Sequence, residues 1–293
     1  MNKPAIPQLA FIGFGEAAEA FMKGFGHELP SEVRAYDENQ DTEGASPRQR
    51  AAATGVVLGA DRTDALRDAE LVFCLVTADR AVAAAEQAAP ALKDGAFWFD
   101  GNSCSPGAKR RAAEIIGAAG GRYVDVAIMS PVYPKLHRTP LLVAGPHAST
   151  ALDLLSALDM RAEISGQEVG DASAIKMIRS VMIKGMEALT AECLLAARRA
   201  GIEDRVLGSL QASNPEIDWP RRAAYNLERM MVHGRRRAAE MREVAVTLSE
   251  LGLPNGLASA TVDWQQRIGE LLLPPGSDTY RDRADAILDR LGS

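Results

Sequence analysis

The sequence predicts an α/β chain in two parts: a doubly wound parallel sheet over residues 1–168, then an all-helical region over 169–293. Three observations carry this. Short apolar runs alternate with Ala-rich amphipathic stretches through the first half, which is the signature of strands joined by crossover helices. A glycine-punctuated turn follows the first of those runs. From about Asp171 the strand-like runs stop and helical periodicity takes over.

In chain order, the predicted strands are Leu9 to Ile12, Val33 to Tyr36, Val56 to Leu58, Leu71 to Val76, Ala96 to Phe99, Tyr123 to Val126 and Leu141 to Ala144. Between them, Ala17 to Phe25, Ala81 to Ala89 and Ala108 to Ala118 read as helices, the last opened by the N-cap and first-turn pair Ser105-Pro106. Ala172 to Ala200 then forms one long helical pattern with no proline and a single glycine, Gly185, of the length that crosses from one domain to the next. Further helices are predicted at Glu203 to Gln211, Arg221 to Val232, Arg235 to Leu251, Leu257 to Leu272 and Asp278 to Leu291, punctuated by Pro254, Pro274 and Pro275.

Composition narrows the classes. A chain of 293 residues with 47% hydrophobic residues has core enough for two domains. A net charge of -6, with basic residues scattered apart from Arg235-Arg236-Arg237, argues against a nucleic-acid surface, and that triplet reads as a solvated helix face. Three widely spaced cysteines, Cys74, Cys104 and Cys193, suggest neither a disulfide framework nor a metal cluster. No leader-like segment and no span-length apolar run are read, so the expectation is a soluble, cytoplasmic protein without a membrane or metal partner.

The segment Phe11-Ile12-Gly13-Phe14-Gly15-Glu16-Ala17-Ala18 reads as strand, glycine turn and helix start, the grip of a Rossmann fold on a dinucleotide. Gly13 makes the tight turn, Gly15 leaves room for the pyrophosphate, and Ala18 lets the helix pack close to the sheet. Phe14, Glu16 and Ala17 supply the turn and first helical amides that face the phosphates. About 20 residues on, at the end of the second strand, Asp37 stands where an acid meets the ribose hydroxyls. With Glu38 beside it, Asp37 favours NAD over NADP, whose 2′-phosphate it would repel; Arg34, close by in sequence, leaves NADP possible. Val76 and Thr77, after the fourth strand, are expected on the nicotinamide side, with a core strand end as the plainer reading.

Two further constellations lie at positions where open α/β sheets place ligands. Asp100-Gly101-Asn102-Ser103 follows the fifth strand; since Ser105 already caps the next helix, Asn102 and Ser103 are free to point into a cleft. Lys176 lies early in the long helix, within Gly170-Asp171-Ala172-Ser173-Ala174-Ile175-Lys176, with Ala172 and Ser180 on its face. Taken alone, such a lysine is a solvated or snorkelling charge.

Taken together and in this order, the dinucleotide turn, the serine-bearing turn and the Gly-to-Lys opening of an interdomain helix resemble the β-hydroxyacid dehydrogenases and their relative 6-phosphogluconate dehydrogenase, across nearly the whole chain. The resemblance implies that Lys176 is the acid/base, that Asn102 and Ser103 hold the substrate, and that the helical domain builds a homodimer. The chemistry is consistent: a lysine whose proton affinity is lowered by burial accepts the alcohol proton as hydride leaves its carbon for NAD.

The chain also departs from the family pattern. Ser180 stands where an asparagine is usual, Ile183 where 6-phosphogluconate dehydrogenase carries a glutamate, and Ser130-Pro131-Val132 where a Ser-Gly-Gly cradle binds carboxylate. Pro131 offers no N–H. His233 and Arg235 are candidates to compensate, His233 lying roughly where relatives carry a second lysine. The resemblance therefore implies a divergent branch with a variant helical domain. These departures imply that the substrate is not a standard small 3-hydroxy acid or that its carboxylate is held elsewhere. The expected function is NAD-dependent oxidation of the alcohol of a hydroxy acid or related polar substrate. The alternatives are a redox-neutral lyase that uses bound NAD for transient alcohol oxidation and releases carbon dioxide or formaldehyde from a larger, aromatic-type substrate, an imine reductase, and a non-catalytic dinucleotide sensor.

Overall fold

The computed structural model describes residues 7–25, 29, 32–42 and 46–292. Residues 1–6, on which the expectation of no leader partly rests, lie outside them. The chain divides into two compact units, residues 1–176 and 177–293.

The first unit is one eight-stranded sheet. Its strands are β1 (Leu9–Ile12), β2 (Arg34–Tyr36), β3 (Val57–Leu58), β4 (Leu71–Cys74), β5 (Phe97–Asp100), β6 (Arg122–Ile128), β7 (Leu141–Ala144) and β8 (Ala162–Gly166), in spatial order β3-β2-β1-β4-β5-β6-β7-β8. The first six reproduce the doubly wound order whose halves reverse direction between β1 and β4, opening a crevice at the carboxyl ends of those strands. Helices α1 (Glu16–Phe25), α2 (Ser46–Thr54), α3 (Arg62–Leu66), α4 (Ala81–Ala88), α5 (Pro106–Ala118) and α6 (Ala148–Ala157) complete the layers, and α7 (Asp171–Arg199) begins in this unit.

Side-chain alternation explains why these runs are strands buried on both faces. Leu9, Phe11, Phe73, Phe97 and Phe99 enter one core layer, while Ala10, Ile12, Val72, Cys74 and Trp98 enter the other. The first layer is a ladder of rings, Phe11 on Phe73 at 5.6 Å and Phe73 on Phe99 at 4.9 Å. Successive residues must therefore both be apolar, giving the continuous hydrophobic runs of a covered parallel sheet.

Two features depart from the sequence expectation. β7 runs antiparallel to β6, because the segment between them holds only a short 3₁₀ turn, Leu136–Arg138, and no crossover helix that would bring the chain round parallel. β8 was not expected as a strand: its residues Ala-Glu-Ile-Ser-Gly are half-exposed at the sheet edge and carry little apolar pattern.

The second unit is helical: the remainder of α7, α8 (Glu203–Ser213), α9 (Trp219–Glu250), α10 (Gly256–Glu270) and α11 (Tyr280–Leu291). Its main core gathers Ala191, Leu195, Leu227, Met230, Met231, Ile268, Ala284 and Ile287. The sequence expectation of two helices meeting near Gly234 is replaced by the single 32-residue α9. Gly234 is not a break but a point of contact: a Cβ there would stand 2.4 Å from the Gln265 carbonyl oxygen of α10 and 2.8 Å from the Gly269 backbone. Nor is the Arg235-Arg236-Arg237 triplet uniformly solvated, since Arg237 is buried against Glu187. Among the described residues no helix is long and apolar enough to cross a membrane.

Candidate active site and dinucleotide cradle

The cradle is built from strand ends. Gly13, with φ +85°, leaves β1 in the left-handed region and donates its N–H to the Tyr36 carbonyl at 2.8 Å; a Cβ there would press to 2.6 Å on the Leu75 carbonyl oxygen. Around Gly15, by contrast, nothing lies within 4 Å of an added Cβ, which leaves an open approach at the N-terminus of α1. Glu16 and Ala17 open that helix.

Asp37, directly after β2, accepts the Phe14 N–H on Oδ2 at 2.8 Å and the Asn39 N–H on Oδ1 at 2.9 Å. The carboxylate is thus fixed beside the glycine turn, and each oxygen keeps a further lone pair for a ribose hydroxyl. Gln40 secures the corner, accepting from the Asp37 N–H at 3.2 Å and donating to the Gly59 carbonyl at 2.8 Å. Arg34, the residue that left NADP open, binds Glu32 and Asp64, each at 2.6 Å. An open glycine turn, a helix N-terminus and a pre-positioned acid fit a dinucleotide.

The second cluster lies at the carboxyl ends of β4, β5 and β6. Asp100, the last residue of β5, is fully buried. Its Oδ1 accepts from the Asn102 N–H at 3.0 Å and the Asn102 amide at 2.7 Å, and its Oδ2 accepts the Tyr123 hydroxyl at 2.6 Å. Asn102 in turn accepts the Val76 N–H on Oδ1 at 2.7 Å and donates to the Cys74 sulfur at 3.3 Å. Asn102 is therefore a tie within the framework, binding the serine turn to the Val76-Thr77 segment, where the sequence expectation had it pointing into a cleft. Ser103 receives Lys176: the ammonium donates to Ser103 Oγ at 2.6 Å, across 73 residues of chain. Burial pushes the Cys74 thiol far up, so it serves as a packing group rather than a thiolate.

What holds Lys176 there was not read from the sequence. Asp125 of β6 accepts the N–H groups of Gly170 at 3.1 Å and Ser173 at 3.0 Å on Oδ2, capping the first turn of α7 from outside the helix. Lys109 of α5, with no exposed surface, donates to the Asp100 carbonyl at 2.6 Å and to Asp100 Oδ1 at 3.0 Å, and lies 3.4 Å from Asp125 Oδ1. Burial alone would lower the proton affinity of Lys109, but Asp100, with further help from Asp125, outweighs it and raises the value. The signal was legible: Lys109 shares the apolar face of α5 with Ala112 and Ile116, where a lysine needs a buried partner. Ser105 caps α5 as predicted, accepting from the Ala108 N–H at 3.4 Å.

The remaining sequence candidates fall in both units. Ser130 follows β6, its hydroxyl 3.4 Å from the Pro131 carbonyl. Ser180, Arg235 and His233 lie in the helical unit. Ser180 is buried and accepts from Lys184 at 3.0 Å, and Lys184 pairs with Glu240 at 2.9 Å. His233 is half-buried; burial, then the charges of Arg229, Arg236 and Arg237, bring it down to about 4, so the ring is neutral at pH 7. Arg235 is exposed and, two residues further along α9, projects from a different face. In the same unit Glu187 binds Arg237 at Nε (2.8 Å) and Gln265 (2.8 Å), a second buried polar cluster.

The sheet order, the glycine turn and the placed acid define a dinucleotide-binding Rossmann protein. Residues 8–159 match the model of the NAD binding domain of 6-phosphogluconate dehydrogenase, and residues 197–268 match a domain of unknown function, DUF1932. The chain belongs to this NAD-binding oxidoreductase family, and its cofactor is a nicotinamide dinucleotide. A conserved hypothetical protein from Sinorhizobium meliloti is 38% identical, with 98% of each chain covered and a TM-score of 0.74. A conserved protein of unknown function, described as structurally similar to 3-hydroxyacid dehydrogenases, is 30% identical over 94% of this chain and 99% of its own, at a TM-score of 0.66. The 3-hydroxyisobutyrate dehydrogenase of Mycobacterium tuberculosis, solved with L-serine, shares the fold at 16% identity, covering 97% of this chain and 99% of its own, with a TM-score of 0.71.

Proposed function

We propose that this protein is an NAD-dependent oxidoreductase acting on the alcohol of a hydroxy acid or a related small polar molecule, with Lys176 as general acid/base. The observation that carries the proposal is the Lys176–Ser103 contact at 2.6 Å, formed just past the carboxyl end of β5 in the same sheet whose β1 and β2 build the dinucleotide cradle. NAD supplies the hydride acceptor. The chain's own residues do the rest: Asp37 and the first turn of α1 hold the dinucleotide, and Asn102 fixes the Val76 backbone on the nicotinamide side. Ser103 orients the substrate hydroxyl, and Lys176 takes its proton. In oxidation Lys176, as the neutral amine, would accept the alcohol proton at Nζ while the bound dinucleotide would supply the hydride acceptor; in the reverse direction the Lys176 ammonium would return that proton to the carbonyl oxygen. Asp37 and Glu38 favour NAD over NADP by repelling a 2′-phosphate. The family resemblance alone makes Ser130, Ser180, His233 and Arg235 further candidates for substrate contact.

The helical unit is read as the homodimer surface, supported by the exposed apolar residues Ile178, Met182 and Leu189 along α7. Sedimentation equilibrium reads this directly, and a monomer at all concentrations refutes it.

The test is to extract any bound nucleotide, then screen alcohols and hydroxy acids with NAD and NADP, following reduced-nicotinamide absorbance and product mass together. Accumulation of NADH that Lys176→Ala abolishes supports the proposal. Product formed without net NADH replaces it with a redox-neutral lyase.

A further inference from the structure

The proposed reaction uses Lys176 and Ser103 but leaves unexplained a fully buried charged triad directly behind them. Asp100, Lys109 and Asp125 have no exposed surface. A buried ion group of this kind is weak evidence for stability, because desolvation offsets the attraction; its use is to fix geometry.

The two halves of the candidate site hang from opposite ends of the triad. Asp100 holds the Asn102 backbone and side chain, one residue before Ser103. Asp125 holds the N–H groups of Gly170 and Ser173, fixing the turn of α7 from which Lys176 projects. Lys109 donates a hydrogen bond to Asp100 Oδ1 at 3.0 Å and stands in ion contact with Asp125 Oδ1 at 3.4 Å, while its ammonium also reaches the Val126 carbonyl at 3.4 Å. The Gly170 corner is closely packed from the α5 side as well, since a Cβ there would meet Arg110 at 2.9 Å and Pro106 at 3.1 Å.

We infer that Lys109 is a positioning residue: by bridging Asp100 and Asp125 it sets the Lys176 ammonium against Ser103, and so tunes the acid/base without touching substrate or cofactor. The inference rests on the proposed role of Lys176 for its consequence in catalysis, but its geometry is tested without turnover.

The experiment compares the wild type with Lys109→Met/Asp125→Asn. The pair of changes removes one charge of each sign, so the net charge of the triad is unchanged and is carried by Asp100, which keeps its Asn102 and Tyr123 donors. An asparagine oxygen still accepts the Gly170 and Ser173 N–H groups, so the helix cap persists while the bridge is cut. Lys176 modification by trinitrobenzenesulfonate at fixed pH is followed by peptide mass, with the surface lysines Lys23 and Lys93 as internal standards and Ser103→Ala as positive control. NADH affinity is titrated in parallel. The expected result is at least a tenfold faster modification of Lys176, as in Ser103→Ala, with Lys23, Lys93 and NADH affinity unchanged.

If Lys176 reacts within twofold of wild type, Lys109 is only a charge neutraliser and the inference falls. If the double variant does not fold, Asp125→Asn alone weakens the bridge on the α7 side and is read by the same comparison. Once a substrate is in hand, the double variant should lose kcat with KM little changed. Faster modification in a protein that turns over no substrate would sustain the positioning role and refute the dehydrogenase reading.

Discussion

Each unit buries an ionic cluster, and the two are built differently. In the sheet unit, Asp100, Lys109 and Asp125 bond largely to backbone: the Asp100 carbonyl and the N–H groups of Asn102, Gly170 and Ser173. In the helical unit, Glu187, Arg237 and Gln265 bond to one another between α7, α9 and α10, and Lys184 bonds to Ser180 and Glu240. The backbone of a helix interior satisfies itself, so the second cluster answers only its own demands. At strand ends and helix starts the backbone has orphan donors, and the first cluster answers those. One network therefore determines the course of the chain; the other is a self-contained inlay.

Substitutions along α7 separate the two most sharply. Lys176→Met is expected to lower turnover about 100- to 10,000-fold with NADH affinity unchanged, the range for loss of a general acid/base. Two turns on, Lys184→Met takes from Glu240 its 2.9 Å ion pair, with Arg236 still at 4.0 Å, and is expected to cost about 1–3 kcal/mol of stability with far smaller loss of turnover. Steady-state kinetics and urea denaturation of the two variants distinguish these effects, and equal kinetic losses would erase the contrast.

Next in size is the cost of breaking each cluster against that of replacing it. Glu187→Ala leaves Arg237 buried without its counter-ion and should cost about 3–5 kcal/mol. Replacing Glu187, Arg237 and Gln265 together by leucine should recover most of that loss, because no backbone group depends on them. The matching apolar replacement of Asp100, Lys109 and Asp125 should not recover, since it orphans buried backbone donors at about 1–3 kcal/mol each. Recovery in both units, measured by denaturant midpoint, would show that the distinction is empty.

A smaller effect tests packing within the helical unit: Gly234→Ala should cost about 1–3 kcal/mol by forcing α9 and α10 apart. Smallest is a pH effect at His233. Its folded value of about 4 lies below the ordinary 6.5, so the unfolded chain binds the extra proton first and stability falls as pH drops from 6.5 towards 4. At a half-exposed ring, screening reduces this to about 1 kcal/mol. In His233→Gln the thermal-midpoint slope over that interval should flatten; an unchanged slope would remove the ring from the account.

The sheet and cradle were legible because each needs residues of one kind at fixed spacing: apolar runs for strands covered on both sides, glycine where φ is positive at Gly13, and an acid at the end of β2. Lys176 and Ser103 became legible as a pair only through the family resemblance, since nothing local in either segment points to a partner 73 residues away. Asn102 shows a related limit: a polar side chain in a turn reads the same whether it faces a cleft or ties two strand ends together. The antiparallel return at β7 and the edge strand β8 leave little apolar signature, because edge positions need bury only part of their surface. The sequence reading divided α9 into two helices on either side of Gly234, which the structure shows to be a packing contact and not a break.

That glycine has a counterpart. A Cβ on Gly269 would strike the Arg235 amide nitrogen at 2.4 Å, just as one on Gly234 would strike the Gln265 carbonyl, so each position excludes a side chain on the other. Most core positions drift over evolutionary time by compensation, a larger residue here offset by a smaller one opposite. This pair has no such route, because no smaller residue exists to offset a gain on either side. Sequence change around it must leave the spacing of α9 and α10 where it is, which makes the crossing a fixed coordinate of this helical unit.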